Sequence, residues 1–238
     1  MQAVRLLIKG NFNSFRIEGG IKYHRTYQIP SKTTLIGLLG ATMGLDDVNL
    51  APLFGSVTTN AILTKFNGTA SDLWLITKLK TGVKPESSPI VREMLFEPEY
   101  YIYYSTTNSS EIQLDDIINA FYDPEYALTL GRSDEMIEII EIKPVTLLPV
   151  SDGYFKNTIL PFNYKEFFDG YENVPLLQGR SFSLPNVVNI PISFKIDSDR
   201  RVRTPLNHLQ ITLVYDIGIK VKGREDGLAD EQRRLFLY

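Results

Sequence analysis

Val4, Leu6 and Ile8 alternate with Arg5, Leu7 and Lys9 near the start of the chain. A period of two marks a strand with distinct faces, so residues 3–17 read as a strand, broken near Gly10–Asn11 and resumed through Phe12–Ile17. The period then changes. Leu35, Ile36, Leu38, Leu39 and Met43 recur at helical spacing. Pro30 holds Ile29 extended, Ser31 stands where an N-cap belongs, and Gly44 is a natural stop, so the spacing predicts a helix near 31–44.

Residues 46–54 read as an irregular connection with a short helical turn. Two runs rich in β-branched and aromatic residues, 57–66 and 72–80, read as strands joined by the turn Asn67-Gly68. The polar stretch 81–97, with Pro85 and Pro89 and an apolar cluster at Met94–Phe96, reads as a projecting loop or long hairpin that docks on a partner. Tyr100–Tyr104 is a tyrosine-rich strand. Ser110–Phe121 is a helix with Ile112, Ile117, Ile118 and Phe121 inward, ended by Pro124. Residues 128–132 form a turn, and 136–150 another strand region.

The order strand–helix–strand–strand–helix–strand is that of an α+β, ferredoxin-like (RRM-like) domain over residues 1–150. It predicts an antiparallel sheet with both helices on one face and the other face open to a ligand, as in RNA-recognition modules. Of the alternating tyrosines at 100, 101, 103 and 104, half would then be core and half could stack on bases, with core or hydrophobic filler as the default reading. Residues 151–238 change character. Prolines at 161, 175, 185, 191 and 205, and strand-like runs near 154–160, 181–196 and 208–222, suggest a small β-rich region. It ends in a charged short helix or tail over 224–238.

The 238 residues carry a net charge of −3, so a nucleic-acid partner has to be held by a local basic patch. The absence of cysteine excludes disulfides and thiolate chemistry. No apolar run approaches a membrane span and the start has no cleavage signal, which reads as a cytoplasmic protein without membrane contact. His24 and His208 have no zinc-ligand spacing around them, Gly37, Gly40 and Gly44 do not make a phosphate-cradling P-loop, and no cofactor or metal is expected.

One local patch stands out. Lys22, Tyr23, His24, Arg25, Tyr27 and Lys32 contain no acid among them and run into the positive end of a helix at Ser31–Thr33. That arrangement suits phosphates; a solvated loop before a core helix competes with it. Lys22, Arg25 and Lys32 supply cations, and Tyr23, His24 or Tyr27 a ring for an unpaired base. In the split βαβ order, the loop before the last strand lies at the same end of the sheet, bringing Gly131, Arg132 and Ser133 alongside. A second idea makes His24 a general base for metal-independent RNA cleavage, with the nearby cations on developing charge. Neighbouring strand residues face opposite ways, so Tyr23 and His24 do not share one site. Arg200, Arg201 and Arg203 are a secondary basic cluster.

Four segments carry a family resemblance: SFR at 14–16, YQIPSKTTLIGLLGATMG at 27–44, REMLFEPEYYIYY at 92–104, and LGRSDE at 130–135. In this order they resemble the fifth family of CRISPR-associated proteins, within the RAMP superfamily, over roughly residues 1–150. The resemblance implies a ferredoxin-like domain with a thumb hairpin, here about 81–97. It also implies a non-catalytic subunit of a type I surveillance (Cascade) complex for antiviral defence, holding the 5′ handle of CRISPR RNA. Its partners would be the backbone and large subunits and, through the complex, target DNA. Arg92, in the third segment, joins the candidate RNA contacts. One subtype of the family cleaves precursor RNA with a Tyr and a Lys-His pair; this chain has no Lys-His dipeptide. The alternatives are a metal-independent endoribonuclease and a protein-interaction module without RNA.

Overall fold

Alternation along β1 (Gln2–Gly10) puts Val4, Leu6 and Ile8 on one face of a sheet and Ala3 and Arg5 on the other, and all five are buried. The computed structural model describes residues 1–78, 86–151, 153–175, 182–197 and 202–238. After β1 come α1 (Lys32–Thr42), β2 (Val57–Lys65), β3 (Thr69–Lys78), β4 (Glu86–Phe96), β5 (Glu99–Thr106), α2 (Leu114–Tyr122) and β6 (Ile137–Thr146). Then follow β7 (Thr158–Leu160), β8 (Asn186–Asp197), β9 (Val202–Val214), β10 (Gly227–Asp230) and β11 (Arg233–Leu235), with shorter strand pairs between.

Seven strands form one antiparallel sheet in the order β6-β1-β5-β2-β7-β9-β8. Counted along the chain as first to fourth, β1, β2, β5 and β6 lie side by side as fourth, first, third and second. The sheet continues past residue 150, because β7, β9 and β8 extend it beyond β2. Helix α1 packs on β2, β8 and α2, while α2 packs on β1, β5 and β6, so both helices cover one face. Buried residues run nearly all round α1, which explains its apolar composition. Gly44 ends it with φ +66°, the left-handed conformation glycine takes at least cost.

Four expectations need correction. The first concerns residues 57–66 and 72–80, which are both strands but do not pair. β2 enters the main sheet, while β3 leaves it to pair with β4, from Thr69 opposite Leu95 to Lys78 opposite Glu86. Leu73 and Leu75 of β3 stay about 71% and 70% exposed, so apolar alternation there marks a strand without marking a core. Second, of the two readings of 81–97, loop and long hairpin, the hairpin stands and the correction is one of extent: residues 86–96 are strand β4, its return arm, and β3 is the outgoing one; residues 81–85 lie outside the described residues.

Third, the face opposite the helices is not open. β10 and β11, with Leu148–Val150, form a small sheet that buries Leu228 and Leu235 against Ala3, Ile62, Tyr103 and Leu147. Tyr103 is fully buried and donates to Asp230 at 2.8 Å, while Arg233 lies 4.0 Å over the Tyr101 ring. Neither tyrosine is free for a base. Fourth, the charged segment 224–238 contains two strands rather than a short helix or tail: Leu228 and Leu235 face the sheet, and Asp230 and Arg233, two residues from them, face the same way and meet Arg5, Tyr103 and Tyr101.

Candidate nucleic-acid interface

Beyond β1 the chain does not turn straight into α1. Phe15–Arg16 pairs with Thr26–Tyr27, and Tyr23–His24 runs parallel to Val91–Arg92 of β4. This bend sets His24 opposite Arg92. The turn before β6 is fastened to the same place. Asn13 Nδ2 donates to the Leu130 carbonyl at 2.6 Å, and the buried Glu135 carboxylate accepts from Ser14 N at 2.7 Å, Ser14 Oγ at 2.5 Å and Arg132 N at 3.0 Å. Burial still raises the Glu135 pKa above its ordinary value, against those bonds. Gly131 has φ +108°, and a Cβ there would stand 2.4 Å from the Ser14 carbonyl oxygen, so only glycine lets the two turns meet this closely.

The fastened turns enclose a cavity of about 230 Å³ lined by Arg16, His24, Arg25, Thr34, Arg92 and Arg132 among others. A second, of about 250 Å³, is lined by Tyr27, Ser31, Thr33 and Asn189–Pro191, and shares Phe15, Arg16 and Thr34 with the first. Together they make a groove across the start of α1. Ser31 occupies the N-cap position, yet its side chain makes no capping bond; its Oγ lies 3.0 Å from Thr33 Oγ1 and 3.2 Å from Thr34 Oγ1. The first N–H groups of α1 therefore lack the side-chain acceptor expected from the sequence.

Positive charge in the groove is weakly compensated. Arg92 is about 8% exposed, makes no ion pair among the described residues, and its Nε has no hydrogen-bond partner. Its guanidinium lies 3.5 Å from the centroid of the Trp74 ring, and that of Arg132 lies 4.9 Å from the same centroid. Arg132 Nε donates to Asp134 at 3.2 Å. Burial, then the Arg132 charge, pull the Arg92 pKa below its usual value. Burial, followed by Arg16 and Arg92, likewise lowers His24, which is neutral at pH 7. Among the described residues, no group of three or more His, Asp or Glu side chains is arranged to hold a metal.

Residues 3–202 match the family model described as CRISPR-associated protein (Cas_Cas5). The chain belongs to the Cas5 family. The match passes residue 150, further than the four short segments reach. Among solved structures, a chain of a "CRISPR RNA-guided surveillance complex" aligns at a TM-score of 0.55 and 15% identity, over 93% of this chain and 95% of that one. A CRISPR protein from Archaeoglobus fulgidus aligns at a TM-score of 0.55 and 10% identity, over 98% of both chains. At such identities the likeness is one of fold. No curated protein matches.

In this Cas5 chain the candidate residues other than Lys32 fall into three groups. His24, Arg25, Arg92, Gly131 and Arg132 line the first cavity, and Tyr27, Ser31 and Thr33 the second. Lys22, Tyr23 and Ser133 are exposed and line neither, and His24 alone of the adjacent pair reaches the cavity. Lys32 is a correction: the side chain is buried, and burial lowers its pKa to about 8, so it is not a free surface cation. Sequence reasoning missed Arg16, Trp74 and Glu135. Arg16 and Glu135 each lie inside a short segment shared with the family, which is the signal that could have found them. Trp74 had only its status as the single tryptophan. Of the secondary basic cluster, Arg200 and Arg201 lie outside the described residues, and Arg203 pairs with Asp47 at 2.5 Å.

Proposed function

We propose that this Cas5 chain is a non-catalytic guide-RNA-binding subunit of a CRISPR effector complex, holding the 5′ handle of CRISPR RNA in the groove across the start of α1. One observation carries the reading. Arg16, Arg25, Arg92 and Arg132, from separate segments, converge on one cavity beside a helix N-terminus without a side-chain cap. Arginine forks and open backbone N–H groups recognise phosphate oxygens, and backbone contacts position a strand without reading its bases. In RNA-guided systems base pairing reads the target, leaving protein to grip ends and shape.

In this reading the β1, β2, β5 and β6 sheet with its two helices is the ferredoxin-like RAMP domain, and the β3–β4 hairpin is the thumb. The exposed Leu73 and Leu75 on that hairpin suit contact with a neighbouring backbone subunit. Target DNA is met through the assembled complex, in the cytoplasm.

The test is RNA affinity of an Arg16→Ala/Arg25→Ala/Arg132→Ala variant at several salt concentrations. Binding should weaken, and the salt slope should flatten by about 2–3 units, one per lost phosphate contact. An affinity and slope equal to the parent's would place the RNA elsewhere.

A second reading has its own observation. His24 is neutral among Arg16, Arg92 and Arg132, the state a general base needs beside cations for metal-free RNA cleavage. Labelled repeat RNA incubated with the chain in a chelator separates the two. Intact bound RNA supports the first; a unique cut abolished by His24→Ala supports the second.

A further inference from the structure

The side chain that the groove leaves least satisfied is Arg92. It is more than nine-tenths buried, its Nε has no hydrogen-bond partner among the described residues, and it lines the first cavity beside Arg132. A buried cation in this condition is costly unless something completes its bonding. The nearest carboxylates, Asp72, Asp134 and Glu135, are committed elsewhere. Asp72 accepts from Trp74 Nε1, Asp134 from Arg132, and Glu135 from Ser14 and the Arg132 backbone. What holds the two like charges close is Trp74, whose ring lies under both guanidiniums.

The cavity, at about 230 Å³, is smaller than the ~300–1,000 Å³ of small-molecule pockets, which suits one group of a larger ligand. Its polar lining on the side of Arg16, His24 and Thr34 is a cation, a neutral imidazole and a hydroxyl, with no carboxylate. Glu93, the carboxylate in the lining, is taken up by the Thr26 backbone N–H at 3.0 Å.

Resting on the guide-RNA reading, we infer that Arg92 and Arg132 form a dedicated seat for a single phosphodiester of the bound strand, and that Trp74 is the positioning residue that presents both guanidiniums to it. The phosphodiester supplies acceptors for the guanidinium of Arg92 and offsets the repulsion between the two arginines. Trp74 does not touch the ligand in this arrangement; it fixes the planes of the groups that do.

The single tryptophan makes the seat its own reporter. The full-length chain is titrated with a fluorescein-labelled single-stranded repeat RNA at low salt, following tryptophan emission and label anisotropy together. The emission should change with the same midpoint as the anisotropy. Arg92→Gln should weaken binding about tenfold, flatten the salt slope by about one unit and abolish the emission change. Followed by anisotropy, Trp74→Leu should match Arg92→Gln, whereas Trp74→Phe, which keeps an aromatic plate, should bind within about twofold of the parent. Should Arg92→Gln fail to fold, as judged by circular dichroism, Arg132→Gln takes its place with the same expected slope change. RNA that binds with constant tryptophan emission, with the Arg92 and Arg132 variants at parental slope, overturns the seat and leaves the broader groove standing. No RNA binding by the chain overturns both.

Discussion

Two arginine clusters of this molecule differ in what answers their charge. On the sheet face away from the helices, Arg5 donates to Asp230 at 2.8 Å and to Glu141 at 3.0 Å, and Arg233 donates to Tyr103 at 3.2 Å. The carboxylates raise the Arg5 pKa despite the opposing effect of burial, and Asp230 is held below its ordinary value. In the groove, Arg92 has no ion pair among the described residues, and burial, then the Arg132 charge, lower its pKa. Both clusters are aromatic-backed, Tyr101 under the first and Trp74 under the second. The contrast teaches that burial of an arginine says little by itself. The Nε of both Arg5 and Arg92 is buried without a partner, so the difference lies in the carboxylates: a guanidinium paired with them pins a segment of chain, here the strands β10 and β11, and one without such a pair leaves room for an anion from outside.

The largest effect that would sharpen this contrast is on the paired side. Asp230→Ala leaves Arg5 buried with its main partner gone, and such broken pairs typically cost about 3–5 kcal/mol. Urea unfolding should show that loss, with the C-terminal strands the first to lose hydrogen-exchange protection. A change under about 1 kcal/mol would mean the far-face network is not what holds β10 and β11.

Lys32 offers the next test, because it is a buried cation without an ion pair among the described residues, unlike Arg5. Its folded-state pKa is about 8 against an ordinary 10.5. Between those values the unfolded chain binds more protons than the folded one, so the Lys32 contribution to stability rises with pH across that window. The parent should gain on the order of 3 kcal/mol relative to Lys32→Met between about pH 8 and 10.5. Parallel stability curves for the two proteins would show that the ammonium is solvated after all.

Gly131→Ala comes third. The added Cβ meets the Ser14 carbonyl and the Glu135 carboxylate in a left-handed backbone, at a cost of about 1–3 kcal/mol. Because the turn carries Arg132, the substitution should also weaken RNA binding, which a purely structural glycine on the far face would not. The smallest effect belongs to the groove cations themselves. The Arg16→Ala/Arg25→Ala/Arg132→Ala variant should change folding stability by less than about 0.5 kcal/mol while reducing RNA affinity. A large stability loss would put these arginines in the same class as Arg5.

Periodicity and residue type were enough to read β1, α1, β2 and the tyrosine strand, because their apolar residues recur at 2.0 or 3.6, although all four are buried on more than one face. Pro30 and Gly44 bounded α1 because each restricts or frees the backbone locally. His24, Arg25 and Arg132 were legible as candidates for a similar reason: charge and ring type are properties of single residues. Pairing is not local. Only the folded sheet decided that β3 leaves β2 for β4, since hydrogen bonds between strands depend on which edges meet, and both runs have equal strand character. Only the fold showed that 224–238 closes the far face, because its two inward leucines had no visible partner until Ala3 and Ile62 were placed opposite them. The same holds for charge. Lys32 and Lys22 are chemically alike in the sequence, but burial sets one near pH 8 and leaves the other in water. Whether an arginine is answered by a carboxylate depends on residues 225 positions away for Arg5, and no local pattern records that distance.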